Sequence, residues 1–380
     1  MSFNIGSVIT NKVIMINIAL LIISFGLFYK YKNPYFLFLM YGVCFINEII
    51  NYFTGLDLYD SHSRTELVYS LGEGFSSMIS DDFDEVNTNF TEGHFKDNKC
   101  IPWEESEKNR FDHFIEILEI EPGDVVLDAG CGFGGLVKYL RSKGIDAYGI
   151  TITKVQYQFN KENIGDYFYY GDYTVYNKDL LNKFDHIIIP GSLEHTFGGN
   201  PSFMSTYTNK FEKMKEVFSL MKQYFKPSST KQKILTTTLH GNLKFKDTYQ
   251  AYVTERMFGG SYPTLNDYSV ANSLRDSGYN VLSNKDYTWH YYYVSYCNLS
   301  HFGNPVDIGK KTLLSALINP HIIYGYIYWY CGYWMWMFDG KNHYRRDTDI
   351  CDPNNGCDLT FEEDMNKRPA TLFYTIAQLK

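Results

Sequence analysis

Three glycines at alternate positions, Gly130, Gly132 and Gly134, interrupt the apolar run GDVVLDAGCGFGGLVKYL between Gly123 and Leu140. Glycine accepts left-handed torsions and lets another molecule approach the backbone, and the start of the following helix offers N–H groups without partners. A turn serving structure alone would hardly need three such glycines directly after a buried strand. The pattern therefore points to a nucleotide-like ligand held over residues 130–134, with Asp128 placed to meet a cationic or hydroxyl-bearing part of it. Dinucleotide folds use a related turn together with an acid that closes the next strand and holds the ribose. Here that strand ends YGITIT, with no acid. A second reactive group sits in GSLEH, where Glu194 and His195 follow the apolar run FDHIIIPG. A carboxylate just past a strand's carboxyl end faces the crevice in which ligands of such folds bind.

The elements that must position these groups alternate between β-rich apolar runs and amphipathic helices. WEESEKNRFDHFIEILEI predicts a helix with Phe111, Phe114, Ile115 and Leu118 at helical spacing and acids near its start, ended by EPGD. VVLDAG then predicts a strand, GGLVKYLRSKG a helix, IDAYGITI a strand, TKVQYQFNKENIG a helix, KFDHIIIPG a strand, YTNKFEKMKEVFSLMKQYF a helix and QKILTTTLHG a strand. This order implies an α/β fold with a mostly parallel sheet covered on both faces. Beyond Leu243 the pattern loosens: DYSVANSLRDSGY predicts a helix, NVLSNKD a strand, RRDTDICDPNNGCDLTFEEDMNKRP a polar insertion and ATLFYTIAQ a closing strand. The aromatic run spanning residues 319–338 is either a buried helix or a membrane contact.

Composition narrows the partners. A formal charge of -8, from 35 Lys plus Arg against 43 Asp plus Glu, lacks the basic excess that attracts nucleic acid. The seven cysteines show no metal-ligand spacing, and their odd number over a long chain fits a reducing compartment. VIMINIALLIISFGLFY, residues 13–29, is just long enough to cross a bilayer as a helix, and YFLFLMYGVCFINEIINYF from Tyr35 is marginal as a second span. No small-residue cleavage site precedes KYKNP, so a retained anchor is expected rather than a removed signal peptide. Lys30 and Lys32 after the first span against Lys12 before it place the catalytic domain in the cytosol, with one crossing and one interfacial helix.

Taken together, VVLDAGCGFGGLVKYL, AYGITITKVQ, FDHIIIPGSLEH and FGGSYPTL resemble the cyclopropane-fatty-acid synthase family of S-adenosylmethionine-dependent methyltransferases, with some likeness to sphingolipid C9-methyltransferases. The likeness covers roughly residues 60 to 300 and returns weakly at TLFYTIAQLK. It implies a Rossmann-like class I methyltransferase fold and S-adenosyl-L-methionine as cofactor. Gly130, Cys131, Gly132 and Gly134 would then cradle the methionine and ribose portions, beside Asp128. Thr151, Thr153 and Gln156 lie where the family carries a Thr-x-Ser-x-x-Gln pattern in place of the ribose acid. Asp172 falls in the adenine-flanking segment, and Phe90 and Thr91 in the segment that closes over the cofactor. The resemblance makes Glu194 an active-site carboxylate that holds a bicarbonate ion acting as base, puts Tyr291 against the same ion, and leaves His195 an orienting or a structural role.

Two positions depart from the family pattern. Its bicarbonate-holding Cys is Glu92 here, and its bicarbonate-holding His aligns with Thr236. An anion beside Glu92 and Glu194 would meet two like charges unless one carboxyl is protonated. Glu92 could instead serve as the base itself, giving a methyl-branched or re-formed alkene, or the two acids could bind an amine; His240 is a further group that could reach back into the site. The expected organisation is a membrane anchor over residues 1–55, a helical cap over 56–118, a methyltransferase core over 119–300, and an aromatic helix, insertion and closing strand over 301–380. An anchored domain favours a membrane lipid as acceptor, with C-methylation at an alkene carbon of an acyl or sphingoid chain ahead of cyclopropane formation, amine or head-group N-methylation, and a catalytically inactive cofactor-binding scaffold.

Overall fold

The structure, a computed structural model, describes Lys30 and residues 92–95, 101–195, 207–241, 269–288, 290 and 370–380. The expected anchor and the aromatic run of residues 319–338 lie outside the described residues. Among the described residues no helix is long and apolar enough to cross a membrane.

The described elements are helix α1 (Trp103–Leu118), strand β1 (Val125–Ala129), α2 (Gly135–Ser142), β2 (Asp146–Thr151), α3 (Lys154–Asn163), β3 (Phe168–Tyr170), β4 (His186–Pro190), α4 (Tyr207–Tyr224), β5 (Lys233–Gly241), α5 (Ser269–Asp276), β6 (Tyr279–Asp286) and β7 (Ala370–Leu379). The strands form a sheet in the order β3-β2-β1-β4-β5-β7-β6. Pairing is parallel from β3 through β5, and β7 runs antiparallel between β5 and β6. The mostly parallel α/β sheet read from the sequence is therefore present. The run ATLFYTIAQ closes it from inside rather than at its rim, and β6, which exposes Leu282, takes the edge.

Period-two alternation explains why the central strands carry apolar residues toward both faces. Val126, Ile188 and Leu235 point to one face, where they meet Phe111, Phe114 and Leu118 of α1 and Leu136, Val137 and Leu140 of α2. Leu127, Ile187, Ile189 and Ile234 point to the other, against Met214, Val217, Phe218 and Met221 of α4 and Val270 and Leu274 of α5. A strand buried on both sides has no polar face to display. Each such side chain contributes about 1.5–3 kcal/mol over its exposed state, so the sheet is fixed by two packed layers. Helix α1 starts with Glu104 and Glu105, which favour its positive end, and stops at Glu119 in the left-handed conformation.

The order of connection matters most for function. From β1 the chain moves outward to β2 and β3, then returns to the other side of β1 as β4. The loops leaving β1 and β4 diverge there and open a crevice at the carboxyl ends of both strands. Gly130–Gly134 and Glu194 lie on those two loops.

Candidate active site

The β1 loop owes its shape to glycines used in different ways. Gly130 has φ +90°, and a Cβ there would come 2.4 Å from Ser192 Oγ, so the loops after β1 and β4 meet with no room for a side chain. Ser192 fastens that meeting by donating to Ala129 O at 3.0 Å. Gly132 also has a positive φ, +53°, but among the described residues a Cβ there would meet only Gln156 Nε2, at 3.9 Å. Among the described residues nothing crowds it, as for a backbone surface kept bare for a ligand. Asn160 holds the turn from below by donating to Gly132 O at 2.8 Å.

Three buried polar atoms beside this turn have no hydrogen-bond partner among the described residues: Asp128 Oδ1, Thr153 Oγ1 and Asn160 Oδ1. A buried polar group left unpaired costs free energy, and its recurrence at one place marks a place for a bound group. Thr151 Oγ1 donates to Gln156 Oε1 at 2.7 Å, tying the end of β2 to α3. Asp172 is exposed after β3 and accepts from Thr174 N–H at 2.8 Å. Burial raises the Asp128 carboxyl to about 7, although the positive charge of Arg110 opposes the rise. Burial, with Asp128 nearby, also keeps the Cys131 thiol protonated.

The acids meet on the face of the sheet covered by α1. Glu92 is buried; its Oε2 accepts from Arg110 Nη1 at 3.3 Å, and its two oxygens lie 2.8 and 2.9 Å from Thr237 Oγ1, the donor. The same hydroxyl accepts from Gly191 N–H at 3.0 Å, so the loop after β4 is linked through Thr237 to Glu92. Arg110 stacks its guanidinium on Phe111 and Phe114, with 5.0 and 5.6 Å from its carbon to the ring centroids. Burial raises the Glu92 carboxyl, against the lowering effect of Arg110 and Thr237. Glu194, in the short turn Leu193–His195, accepts from Leu239 N–H at 3.3 Å, and its Oε2 has no partner among the described residues. Burial first, and the charge of Glu92 in addition, push it up to about 8. Both carboxyls are raised, so a proton held at Glu194 relieves the clash of two like charges, while Arg110 and Thr237 favour the charged form of Glu92.

The structure brings Glu92, Glu194, Asp128, Gly130, Cys131, Gly132, Gly134, Thr151, Thr153 and Gln156 to one end of the sheet. Phe90, Thr91 and Tyr291 lie outside the described residues, as does the side chain of His195. Two expectations are corrected. Thr237, not Thr236, faces Glu92, because alternation along β5 turns residue 236 to the opposite face. For the same reason His240 does not reach back to Glu92; its Nδ1 lies 3.2 Å from Thr238 O and its ring stands edge-on to Phe373. Arg110, Thr237, Ser192 and Asn160 complete the site with no motif to announce them. Arg110 alone left a trace: it shares a helical stripe with Phe114 and Leu118, where a cation needs a buried partner.

A doubly wound sheet with a bare glycine turn after its first strand and acids at the switch point is the arrangement of a Rossmann-like, nucleotide-cofactor methyltransferase. The description of mycolic acid cyclopropane synthetase matches residues 60–298, and the chain belongs to that family of cyclopropane synthases and related S-adenosylmethionine-dependent methyltransferases. It is 29% identical over 143 residues to the cyclopropane-fatty-acyl-phospholipid synthase of Escherichia coli K12, a stretch covering 37% of this chain and 34% of that protein. It is 35% identical over 63 residues to a probable fatty acid methyltransferase of Mycobacterium tuberculosis, covering 17% and 15%. The chain thus spans about a third or less of these relatives' lengths. Among solved structures, the cyclopropane synthase MmaA2 from Mycobacterium tuberculosis superposes with a TM-score of 0.57 at 15% identity, over 85% of this chain and 100% of that one. The mycolic acid cyclopropane synthase CmaA1 complexed with SAH and CTAB gives 0.58 at 16%, over 83% and 98%. These two establish the likeness of fold.

Proposed function

We propose that this protein methylates a membrane lipid at an alkene carbon of an acyl or sphingoid chain, with S-adenosylmethionine as donor and Glu92 as base. The observation that carries the reading is Glu92 itself: a buried carboxylate fixed by Arg110 and Thr237 beside Glu194, where the family resemblance places bicarbonate. A side chain already supplies the negative charge, so no bound anion is required.

Bound over the glycine turn, S-adenosylmethionine supplies an electrophilic methyl group on a sulfonium sulfur. The residues fit it: Gly132 leaves the backbone bare, and Asp128 Oδ1 and Thr153 Oγ1 await hydroxyl or ammonium groups. When the alkene takes up the methyl group, positive charge develops on the adjacent carbon, and the negative charge shared by Glu92 and Glu194 stabilises it in a site sheltered from water. Glu92 then accepts a proton from a neighbouring carbon, and the electron pair of that C–H bond re-forms the alkene in a methyl-branched product. Glu194, protonated at neutral pH, adds no second negative charge. The apolar segments before residue 55 would hold the domain at the cytosolic face of a bilayer, where chain-borne alkenes are concentrated.

Membership of the family favours a second reading, cyclopropane formation, in which the same base removes its proton from the methyl group just transferred. Incubation of the purified protein with methyl-labelled cofactor and a total membrane lipid extract is expected to place label in the organic phase, and NMR of the product to find a branched methyl. A ring would transfer the assignment to the second reading. Label confined to a water-soluble amine would defeat both, and cofactor binding without transfer would point to a scaffold. In Glu92→Cys, ring product is expected to rise relative to branched product.

A further inference from the structure

Glu92 sits among donors. Its Oε2 accepts from Arg110 Nη1, but Oε1, the oxygen that Arg110 does not hold, is met among the described residues by Thr237 Oγ1 alone, at 2.8 Å. That hydroxyl has one hydrogen to give and lone pairs to receive. Gly191 N–H, which can only donate, lies 3.0 Å from it and also reaches the Thr237 carbonyl at 2.9 Å. The hydrogen of Thr237 is therefore left for Glu92, and a carboxyl surrounded by donors is favoured in its charged form. Glu194 is placed differently. Its Oε1 receives one backbone N–H, from Leu239, while its Oε2 is buried without a hydrogen-bond partner among the described residues. The neighbours of Thr237 show that its contact is not a habit of threonine in β5. Thr236 and Thr238, turned to the opposite face, are as fully buried, yet neither hydroxyl has a hydrogen-bond partner among the described residues. At 237 the register delivers the hydroxyl to a carboxylate. The segment that orients it is also fastened to the cofactor turn, because Gly191 precedes Ser192, whose hydroxyl donates to Ala129 O beside Gly130.

We propose that Thr237 is the positioning residue that keeps Glu92 the charged, proton-accepting member of the acid pair. The inference rests on the reading of Glu92 as base. Around Glu92 the titratable and charged groups are Arg110 from α1, Glu194 from the turn after β4, Tyr374 from β7 and, within reach of the same Arg110, Asp128 at the end of β1. Beyond them, His94 on its own segment packs against His113 and His290 beside Tyr287. Burial raises the Glu92 carboxyl while Arg110 and Thr237 lower it, so the hydroxyl acts in the sense that the directions of its hydrogen bonds require. Arg110 divides its influence between Glu92 and Asp128. Thr237 gives its one hydrogen to Glu92.

The first test needs neither cofactor nor lipid. In the full-length protein, the infrared carbonyl band of protonated Glu92, identified as the band abolished by Glu92→Gln, is followed between about pH 5 and pH 9. Thr237→Val keeps the branched shape and the carbonyl that Gly191 N–H reaches, and removes the hydroxyl. Its midpoint is expected about one to two pH units above that of the parent protein, as loss of a hydrogen bond to a charged group dictates. Thr237→Ser, which returns a hydroxyl, should restore the parent midpoint, and Thr238→Val should leave it in place. Equal midpoints in Thr237→Val and the parent overturn the proposal, and so does a midpoint in Thr237→Ser as displaced as that in Thr237→Val. Denaturant unfolding reads the same charge: the stability lost in Thr237→Val should grow as pH rises, and that growth should vanish in the Glu92→Gln background. A Thr237→Val protein that fails to fold even near pH 5 also overturns the proposal, because the hydroxyl then serves the fold and not the charge. The second test uses vesicles of phosphatidylglycerol and phosphatidylethanolamine with monounsaturated chains and labelled cofactor. In Thr237→Val the acid limb of kcat/KM should move to higher pH by the same amount as the band. A band that moves while that limb stays put, or while the parent methylates no lipid, would refute the reading of Glu92 as base and leave intact the role of Thr237 in holding its charge.

Discussion

The two ends of the sheet handle carboxylates in opposite ways. At the amino ends of the strands each acid has a cation: Lys231 Nζ lies 2.7 Å from Glu121 and 2.8 Å from Asp124, Lys226 lies 3.4 Å from Asp185, and Lys233 pairs with Glu119. Burial would raise Asp124 and Asp185, but hydrogen bonds from side chains and backbone outweigh it and hold both below the ordinary range. At the carboxyl ends Asp128, Glu92 and Glu194 are almost wholly buried, Arg110 pairs with Glu92 and opposes the rise at Asp128, and all three are raised. One end spends its charges on holding strands in place; the other withholds partners from its polar atoms. That asymmetry locates the active end independently of any motif, because structure alone gives no reason to leave Asp128 Oδ1 and Glu194 Oε2 buried without a hydrogen-bond partner among the described residues.

Breaking the contrast at its strongest point gives the largest effect. Arg110→Met leaves the Glu92 charge buried without its cation and is expected to destabilise the fold by about 3–5 kcal/mol at pH 8, measured by denaturant unfolding. The loss should be much smaller near pH 5, and adding Glu92→Gln should recover most of it. A somewhat smaller effect concerns pH. A carboxyl raised by folding binds more protons folded than unfolded, so its contribution is fully present below its ordinary value near 4.5 and disappears as pH rises to about 8 for Glu194. Stability should fall across that window by a few kcal/mol, at ~1.4 kcal/mol for each pH unit of displacement, and Glu194→Gln should flatten the fall. The lowered acids at the other end act in the reverse sense, losing their contribution only as pH drops below about 4.

Gly132→Val tests the bare surface of the turn. S-adenosylhomocysteine at a hundred times its dissociation constant should stabilise the parent protein by about 2.7 kcal/mol, and the variant should lose that thermal shift. The smallest effect is expected at the paired end: Lys231→Met should cost about 1 kcal/mol or less and leave methyl transfer unchanged. A larger loss of activity there than in Glu194→Gln would erase the distinction between the two ends.

Much of this arrangement was legible because local pattern and global fold agree. The run HIIIP could only be a strand buried on both sides, and glycines at 130, 132 and 134 after such a strand could only be a turn near a ligand. Glu194 was legible because it follows a strand's carboxyl end. What brings Arg110 to Glu92, or Tyr374 to Thr237, is pairing across long stretches of chain, on which composition and spacing are silent. The choice between Thr236 and Thr237 shows the same limit on a finer scale, since three successive threonines carry no periodicity and only the strand's register assigns their faces.

The insertion of β7 between β5 and β6 has a consequence during synthesis. Roughly 130 residues separate Gly241 from Ala370, and a ribosome adding about 5–20 residues per second leaves the outer edge of β5 without its neighbour for about 6–26 s. Throughout that interval a nascent chain displays a long unpaired strand edge, the kind that recruits other chains. Only the arrival of Ala370–Leu379 covers it. The yield of native protein in a cell should therefore depend on how well chaperones shield that edge and on how quickly the last strand emerges.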